Sequence, residues 1–407
     1  MNEKKWFLLI AIGFLGLLIG GAWGCSSEES NTDAGLGTDS GGDTDSDTDS
    51  DTDTDTDSDT DTGDIGPITP GEPLPMPETG IGKWVWYPFN GTKCRNGSGA
   101  GVSVRLSNTS DDLVIYMEGG GACFNSTTCL VNPASISLQM RTPTETGVLN
   151  FQNEDNPLKD LNAVYIPYCT GDCHAGGNSQ GNVAGLGKQM FVGGENYRLF
   201  LASIVETFTQ VELVVLTGIS AGGFGAVFNY YDTALAFHEK NEDIRIVAID
   251  DSGPVMRDPY FTACLQEEIR NLWNLDAYIP EDCIECLGPI GNGLHHLLGY
   301  VGANLPSASL GLVSSMEDSV IRAFWGYGEN NCNALLPNYT GQKYADGLED
   351  LRTYMEEIGF AGTFYYPGQE HTQLSAAAFY TLQVQDTKLM EWYADIMDGL
   401  MEHIGPQ

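Results

Sequence analysis

Residues 211–228 read VELVVLTGISAGGFGAVF. A valine- and leucine-rich run stops at Thr217, a serine then stands among small residues, and an apolar stretch resumes. The first part has the length and continuous apolar character of a strand covered on both faces, and an amphipathic stretch follows the serine. Between them, Gly218-Ile219-Ser220-Ala221-Gly222 is a G-x-S-x-G pentapeptide. In a sharp strand-to-helix turn, small neighbours leave room where side chains would strike the adjacent strand and helix. The serine Oγ then stands near a helix N-terminus, where backbone N–H groups favour developing negative charge. Five residues alone also suit an ordinary turn, so the rest of the chain has to decide.

Further apolar runs end in the same abrupt way. LVIYM (113–117) runs into EGGG, AVYIPY (163–168) into CTGD, and IRIVAI (244–249) into DDSG. SLGLVSS (309–315) runs into MEDS, and TFYY (363–366) into PGQEHT. Between them lie amphipathic stretches at 196–208, 225–240 and 344–359. Alternating strand and helix predicts an α/β domain with a mainly parallel sheet flanked by helices. Its functional loops belong at the carboxyl ends of the strands. Residues 257–305 carry cysteines and no clear strand, and are expected to form an insertion on that face, a candidate lid.

A serine hydroxyl is a weak nucleophile until a base takes its proton. The chain order expected for such a hydrolase is nucleophile, acid, histidine. Of the six histidines (174, 238, 295, 296, 371 and 403), only His371 directly follows a late strand, in YYPGQEHTQL. The acid belongs after the preceding strand, where SLGLVSSMEDS offers Glu317 and Asp318. Asp318 is the preferred candidate, with Asp250 or Asp251 of AIDDSG as the alternative. It would orient the imidazole and stabilise its protonated form. The oxyanion hole would draw one N–H from Ala221, after the serine, and others from the glycines of LVIYMEGGGAC, with Gly120 and Gly121 as candidates.

EGGGACFNSTTC, PYCTGDCHAGG, TGISAGGFGA, DDSGP and GQEHT, in that order, resemble the pectinacetylesterase and Notum family of serine carboxylesterases over roughly residues 81–400. The resemblance implies an α/β-hydrolase fold, disulfides and a Ser-Asp-His triad, carried by position onto Ser220, Asp318 and His371. It implies a carboxylic ester hydrolase acting on an acetylated polysaccharide or another acyl ester, with acetyl preferred. The alternatives are a lipase- or thioesterase-like hydrolase of longer chains, or a non-catalytic surface-binding lipoprotein on the same fold. No metal or organic cofactor is expected.

The N-terminal part of the 407-residue chain differs from this core. Lys4 and Lys5 precede an apolar run from Trp6 to Gly24, as in an export signal over residues 1–24. The stretch AWGC resembles a lipobox that would make Cys25 the lipidated residue, although Ala22 stands where leucine is usual. An uncleaved membrane anchor and plain secretion are the other readings. All three place the bulk of the protein outside the cytoplasm, in a bacterial cell envelope or beyond it, and Ser26 suits outer-membrane sorting. Aspartate fills every odd position from 43 to 61, so residues 25–80 are expected to be an extended, solvated tether that stiffens at the Pro-rich 66–80. The tract lacks the glycines that shape calcium-binding repeats.

Residues 1–80 hold 18 acidic and 2 basic residues, leaving 38 and 16 and a net charge of −22 for residues 81–407. Such a surface argues against nucleic acid and anionic membranes as partners, and the chain is expected to act as a monomer. Besides Cys25 there are nine cysteines, a density that in an exported chain reads as disulfides. The close spacings mark Cys123, Cys129, Cys169, Cys173, Cys283 and Cys286 as candidates, and the odd count leaves at least one cysteine over. A structural zinc site is the lesser reading, because no second CxxC stands at finger spacing. Trp84, Trp86, Trp273 and Trp325 are candidates for a sugar or lipid site, or for plain core.

Overall fold

The computed structural model describes residues 69–76, 80–288, 293–333 and 338–406. The expected signal (1–24), Cys25 and the aspartate tract of the tether lie outside those residues. Among the described residues, no helix is long and apolar enough to cross a membrane.

Among the described residues, nine strands form the central sheet: β1 (Trp84–Pro88), β2 (Gly101–Arg105), β3 (Leu113–Met117), β4 (Asn162–Ile166), β5 (Leu213–Ile219), β6 (Arg245–Asp251), β7 (Ser309–Ser315), β8 (Ala361–Tyr366) and β9 (His403–Ile404). Their spatial order is β1-β2-β4-β3-β5-β6-β7-β8-β9. The pairings from β4 through β9 are parallel, and β1 and β2 add an antiparallel edge.

The continuous apolar runs have a simple cause. In β3, Leu113, Ile115 and Met117 enter one core layer, while Val114 and Tyr116 enter the layer on the opposite face. β5 divides in the same way, with Val214 and Leu216 on one side and Val215 on the other. Side chains alternate with a period of two, so a strand covered on both faces needs apolar residues at every position.

Helices cover both layers. On one face lie α1 (Ser126–Leu130), α2 (Gly193–Thr207), α3 (Ala221–Phe228), α4 (Tyr230–His238), α5 (Ala263–Trp273), α6 (His296–Asn304), α7 (Ser319–Trp325) and α8 (Gly341–Ile358), while α9 (Leu389–Met397) packs on the other. The expected helix over 225–240 is two helices that start four residues earlier. Asn229 breaks them, donating from Nδ2 to Gly225 O at 2.8 Å and to His174 O at 3.0 Å. The edge strand β2 and the hairpin of Asn178–Val183 with Gly187–Phe191 were not legible as runs, because polar and glycine residues interrupt them, whereas β1, an apolar WVWYP, was missed although its run is unbroken.

Among the described residues, four disulfides form: Cys94–Cys169, Cys123–Cys129, Cys264–Cys332 and Cys283–Cys286. The expectation that Cys173 joins a disulfide is corrected. Cys169 turns to Cys94, 75 residues away, and Cys173 is left as a buried thiol. Burial among apolar groups pushes that thiol far above its ordinary range, so it stays protonated and inert. Among the described residues, no group of three or more His, Cys, Asp or Glu is arranged to hold a metal. Residues 257–305 carry α5, α6 and the Cys283–Cys286 bridge, and Cys264 ties the segment to Cys332 beyond it.

Candidate active site

Ser220 follows the end of β5 and precedes the first residue of α3. Its backbone lies at φ 56°, ψ −120°, in the positive-φ region that non-glycine residues rarely adopt. The turn is tight enough to dictate its neighbours. A Cβ on Gly222 would collide with Met117 O of β3, and one on Gly218 would collide with the Gly222 carbonyl. The strain is held from outside, because Ser220 N–H donates to Asp251 O at 2.7 Å.

The glycine loop lies against this turn because β3 and β5 pair in parallel, with Met117 beside Gly218. A Cβ on Gly119 would come within 3.1 Å of Ser220 Cβ. Glu118 anchors the start of the loop. Its Oε2 accepts from Tyr168 N at 2.9 Å, and its own carbonyl meets His174 Nε2 at 2.9 Å. Burial raises the Glu118 carboxyl and lowers His174 to about 4, so His174 is a neutral structural residue. Gly121 has φ +78°. Among the described residues, the amides of Gly120, Gly121 and Ala221 donate to no acceptor.

His371 meets an acid. Its Nδ1 lies 2.8 Å from Asp318 Oδ2, the carboxylate is fully buried, and the imidazole is 18% exposed. Asp318 is also the N-cap of α7, with Oδ1 accepting from Val320 N and Ile321 N, both at 2.9 Å. The histidine loop is laced to the acid loop. Met316 N donates to Tyr366 O, Glu317 N to Gly368 O, and Ser315 Oγ to Glu370 O.

The alternative acids do not touch His371. Asp250 Oδ1 accepts from Gly253 N at 2.8 Å. Asp251, fully buried, accepts from Gln373 N at 2.6 Å and Leu374 N at 2.7 Å on Oδ2, and from Ser252 Oγ on Oδ1. Burial pushes Asp251 up to about 6 against the pull of those hydrogen bonds, and pushes Asp250 well up, with the neighbouring Asp251 charge adding to it. Asp251 therefore joins the serine turn, through its carbonyl, to the histidine loop, through its carboxylate. No hydrogen bond is made between Ser220 and His371. The other histidines lie elsewhere: His238 on Ile244 O, His403 on Thr363 Oγ1, and His295 against His296, whose Nδ1 is 3.6 Å from Glu285.

Ser220 opens into a pocket of about 560 Å³, counted with its mouth. Gly121, Ala221 and Cys173 line it with the serine, as do Phe224 and Phe228 of α3, Leu265, Ile269 and Trp273 of α5, and Ile321, Phe324 and Trp325 of α7. Trp273 donates its indole N–H to Cys123 O at 2.8 Å and so presents only its ring. Trp273 and Trp325 thus belong to the site, whereas Trp84 packs on Phe151 and Tyr165 away from it. The pocket phenylalanines were missed in the sequence. The signal available was Phe224 and Phe228, four apart on the helix after the serine, and hence on one face.

Comparison with known proteins bears on the fold and the family. The family model described as pectinacetylesterase matches residues 87–289. The human palmitoleoyl-protein carboxylesterase NOTUM is 28% identical over 291 residues, covering 65% of this chain and 54% of that protein. Notum2 of Xenopus laevis is 28% identical over 211 residues, covering 47% and 42%, and the Drosophila melanogaster NOTUM is 29% identical over 215 residues, covering 47% and 31%. The chain thus spans between just under a third and just over half of the length of these relatives. The solved structure of the Wnt deacylase Notum from Drosophila superposes with a TM-score of 0.62 at 20% identity, covering 80% of this chain and 96% of that one. At that identity the superposition speaks for the fold, a Notum-like α/β hydrolase.

Proposed function

Since the chain belongs to the pectinacetylesterase and Notum family, we propose that it is a carboxylic ester hydrolase working through Ser220, His371 and Asp318. Ser220 Oγ attacks the acyl carbonyl while His371 Nε2 takes its proton, the Nδ1 edge being held by Asp318. The carbonyl oxygen gains the negative charge and is met by the free amides of Gly120, Gly121 and Ala221. The tetrahedral centre collapses, the C–O bond to the alcohol breaks, and His371 returns the proton to the leaving oxygen. Water then repeats the sequence on the acyl-serine and releases the acid. Nothing in this sequence calls for a metal or an organic cofactor. The Ser220–His371 bond is not made in the structure, and bonds of this kind commonly tighten only in the reacting complex.

The observation that carries the reading is the coincidence of Ser220, the glycine amides and the Asp318–His371 pair at the carboxyl ends of β3, β5, β7 and β8. The apolar pocket refines the substrate. An acetyl group needs no room lined by five phenylalanines and two tryptophans. Each buried methylene is worth about 0.8 kcal/mol, so the pocket favours an acyl chain longer than acetyl over the deacetylation expected from the sequence. The four disulfides and the family fit an extracytoplasmic location. Tethering there through a lipid on Cys25 belongs to the same reading.

A panel of p-nitrophenyl esters from acetyl to dodecanoyl tests the chemistry, alongside acetate release from acetylated polysaccharides. We expect kcat/KM to climb with chain length. A sharp optimum at acetyl, with acetate released from the polysaccharide, would restore the deacetylase reading. No hydrolysis and no fluorophosphonate labelling of a folded chain would leave the surface-binding alternative.

A further inference from the structure

A run of three glycines has no side chains to hold its peptide planes, so amides that are to meet an oxyanion need a clamp from elsewhere. Among the described residues, one side chain hydrogen-bonds the backbone of 119–121. Asn132 Nδ2 donates to Gly120 O at 2.7 Å. In a trans peptide the C=O and the following N–H point to opposite sides. Holding the Gly120 carbonyl toward Asn132 therefore turns the Gly121 N–H the other way. Gly121 and Ser220 line the same pocket, and the Gly121 N–H has no protein acceptor.

We propose that Asn132 is the positioning residue of the oxyanion hole, fixing the Gly120–Gly121 peptide so that its N–H faces the carbonyl under attack by Ser220. This rests on the hydrolase reading above and deepens it. Asn132 is itself held firmly. Arg95, 5% exposed, donates from Nη2 to Asn132 O at 2.7 Å and to Cys129 O at 2.9 Å, and from Nη1 to Gln189 Oε1 at 2.7 Å. The Cys123–Cys129 bridge closes the segment between the glycines and Asn132. The ring of Tyr168 and Pro133 Cδ flank Gly120, so its peptide cannot swing freely once the carbonyl is caught. Asn132 Oδ1, by contrast, is buried without a partner. A buried unpaired acceptor lowers stability, which an apolar residue at 132 would avoid. What the amide supplies in return is the bond to Gly120.

The test compares Asn132→Ala and Asn132→Asp with wild type in the full chain. Asn132→Asp keeps the shape but has no N–H to offer the carbonyl. Endpoint titration with a fluorophosphonate counts competent Ser220. Steady-state hydrolysis of an octanoyl ester gives kcat and KM. Inhibition is measured with an alkyl trifluoromethyl ketone, which adds to the serine, and with its methyl ketone counterpart, which resembles the ground state. Removing an oxyanion donor outright costs about 10²–10³ in kcat, and a misaimed donor should cost about 10–100. We expect that loss in kcat per titrated site, KM within about threefold, trifluoromethyl ketone affinity weakened by the same factor as kcat/KM, and methyl ketone affinity unchanged. A scaffold role alone would instead lower the titrated fraction and the melting temperature while kcat per site stayed at wild type, and that result overturns the clamp. If both variants fail to fold, Asn132→Gln, which keeps the amide on a longer stem, must lose trifluoromethyl ketone affinity relative to methyl ketone, and equal affinities overturn the clamp. A wild-type chain with no titratable Ser220 overturns the hydrolase reading and the clamp together, whereas a labelled wild type beside a fully active Asn132→Ala overturns the clamp alone.

Discussion

Asp318→Asn should abolish activity while leaving the fold almost untouched, and the reason lies in how Asp318 divides its two oxygens. Oδ1 accepts from Val320 N and Ile321 N, both at 2.9 Å, and Oδ2 meets His371 Nδ1 at 2.8 Å. An asparagine has one oxygen for both tasks. Turning its NH₂ toward the two backbone donors would leave two buried N–H groups unpaired, at about 1–3 kcal/mol each. Keeping the oxygen on the cap requires only that His371 change tautomer, and that is the smaller penalty. The NH₂ then donates to His371 Nδ1, the imidazole proton moves to Nε2, and the nitrogen facing Ser220 can no longer accept a proton. A wrong-tautomer substitution of this kind elsewhere lowers kcat about 10⁴-fold, or about 5 kcal/mol of barrier. The melting temperature should stay within a few degrees of wild type, because the α7 cap survives. Asp318→Ala should lose both, since removing an N-cap costs about 0.5–2 kcal/mol. The assay is kcat/KM on an octanoyl p-nitrophenyl ester beside thermal unfolding by circular dichroism. Activity within tenfold of wild type in a folded Asp318→Asn would refute this reasoning.

Asp251→Ala strips the acceptor from Gln373 N, Leu374 N and Ser252 Oγ in a fully buried site, so unfolding free energy in urea should fall by at least about 3 kcal/mol; a loss under about 1 kcal/mol would mean that the serine turn and the histidine loop are held otherwise. Burial raises the folded-state pKa of Asp250 above its unfolded value near 3.9, so the folded state binds the proton more tightly, and stability is lost as pH rises through the folded value. Asp250→Asn, which cannot ionise, should therefore melt higher than wild type at pH 8, with the gap closing as pH falls toward 4, and a gap that does not change with pH would contradict the assignment. Ile269→Phe should shorten the acyl pocket, lowering kcat/KM on octanoyl esters roughly tenfold, the worth of about two buried methylenes, while the acetyl ester changes less than threefold; equal losses on both esters would place the acyl chain elsewhere.

The strand ends were legible because each apolar run stops where the chain leaves the sheet, and β3 and β7 match their runs residue for residue. Ser220, Asp318, His371 and the glycine loop were legible for the same reason, as polar or glycine residues placed at those stops. The pocket was not. Its walls come from α3, α5 and α7, and Phe224 or Ile269 reads in sequence like any core residue until the helices are placed. Cys173 misled because CTGDC suggests a local bridge, whereas pairing depends on which thiols the fold brings together, and Cys94 reaches Cys169 from 75 residues away. The role of Asp251 was hidden by its neighbour: two adjacent aspartates look alike in sequence, and only burial and the backbone donors of 373 and 374 tell them apart.

The proposed chemistry stands or falls with Ser220 as a nucleophile activated by His371. Fluorophosphonate labelling followed by peptide mapping tests it most directly, with wild type, Ser220→Ala and His371→Gln compared at equal folded concentration. We expect stoichiometric modification of wild type at Ser220 alone, none in Ser220→Ala, and labelling slowed at least a hundredfold in His371→Gln. A folded wild type that resists the probe, or a His371→Gln variant labelled as fast as wild type, would rule out that activation.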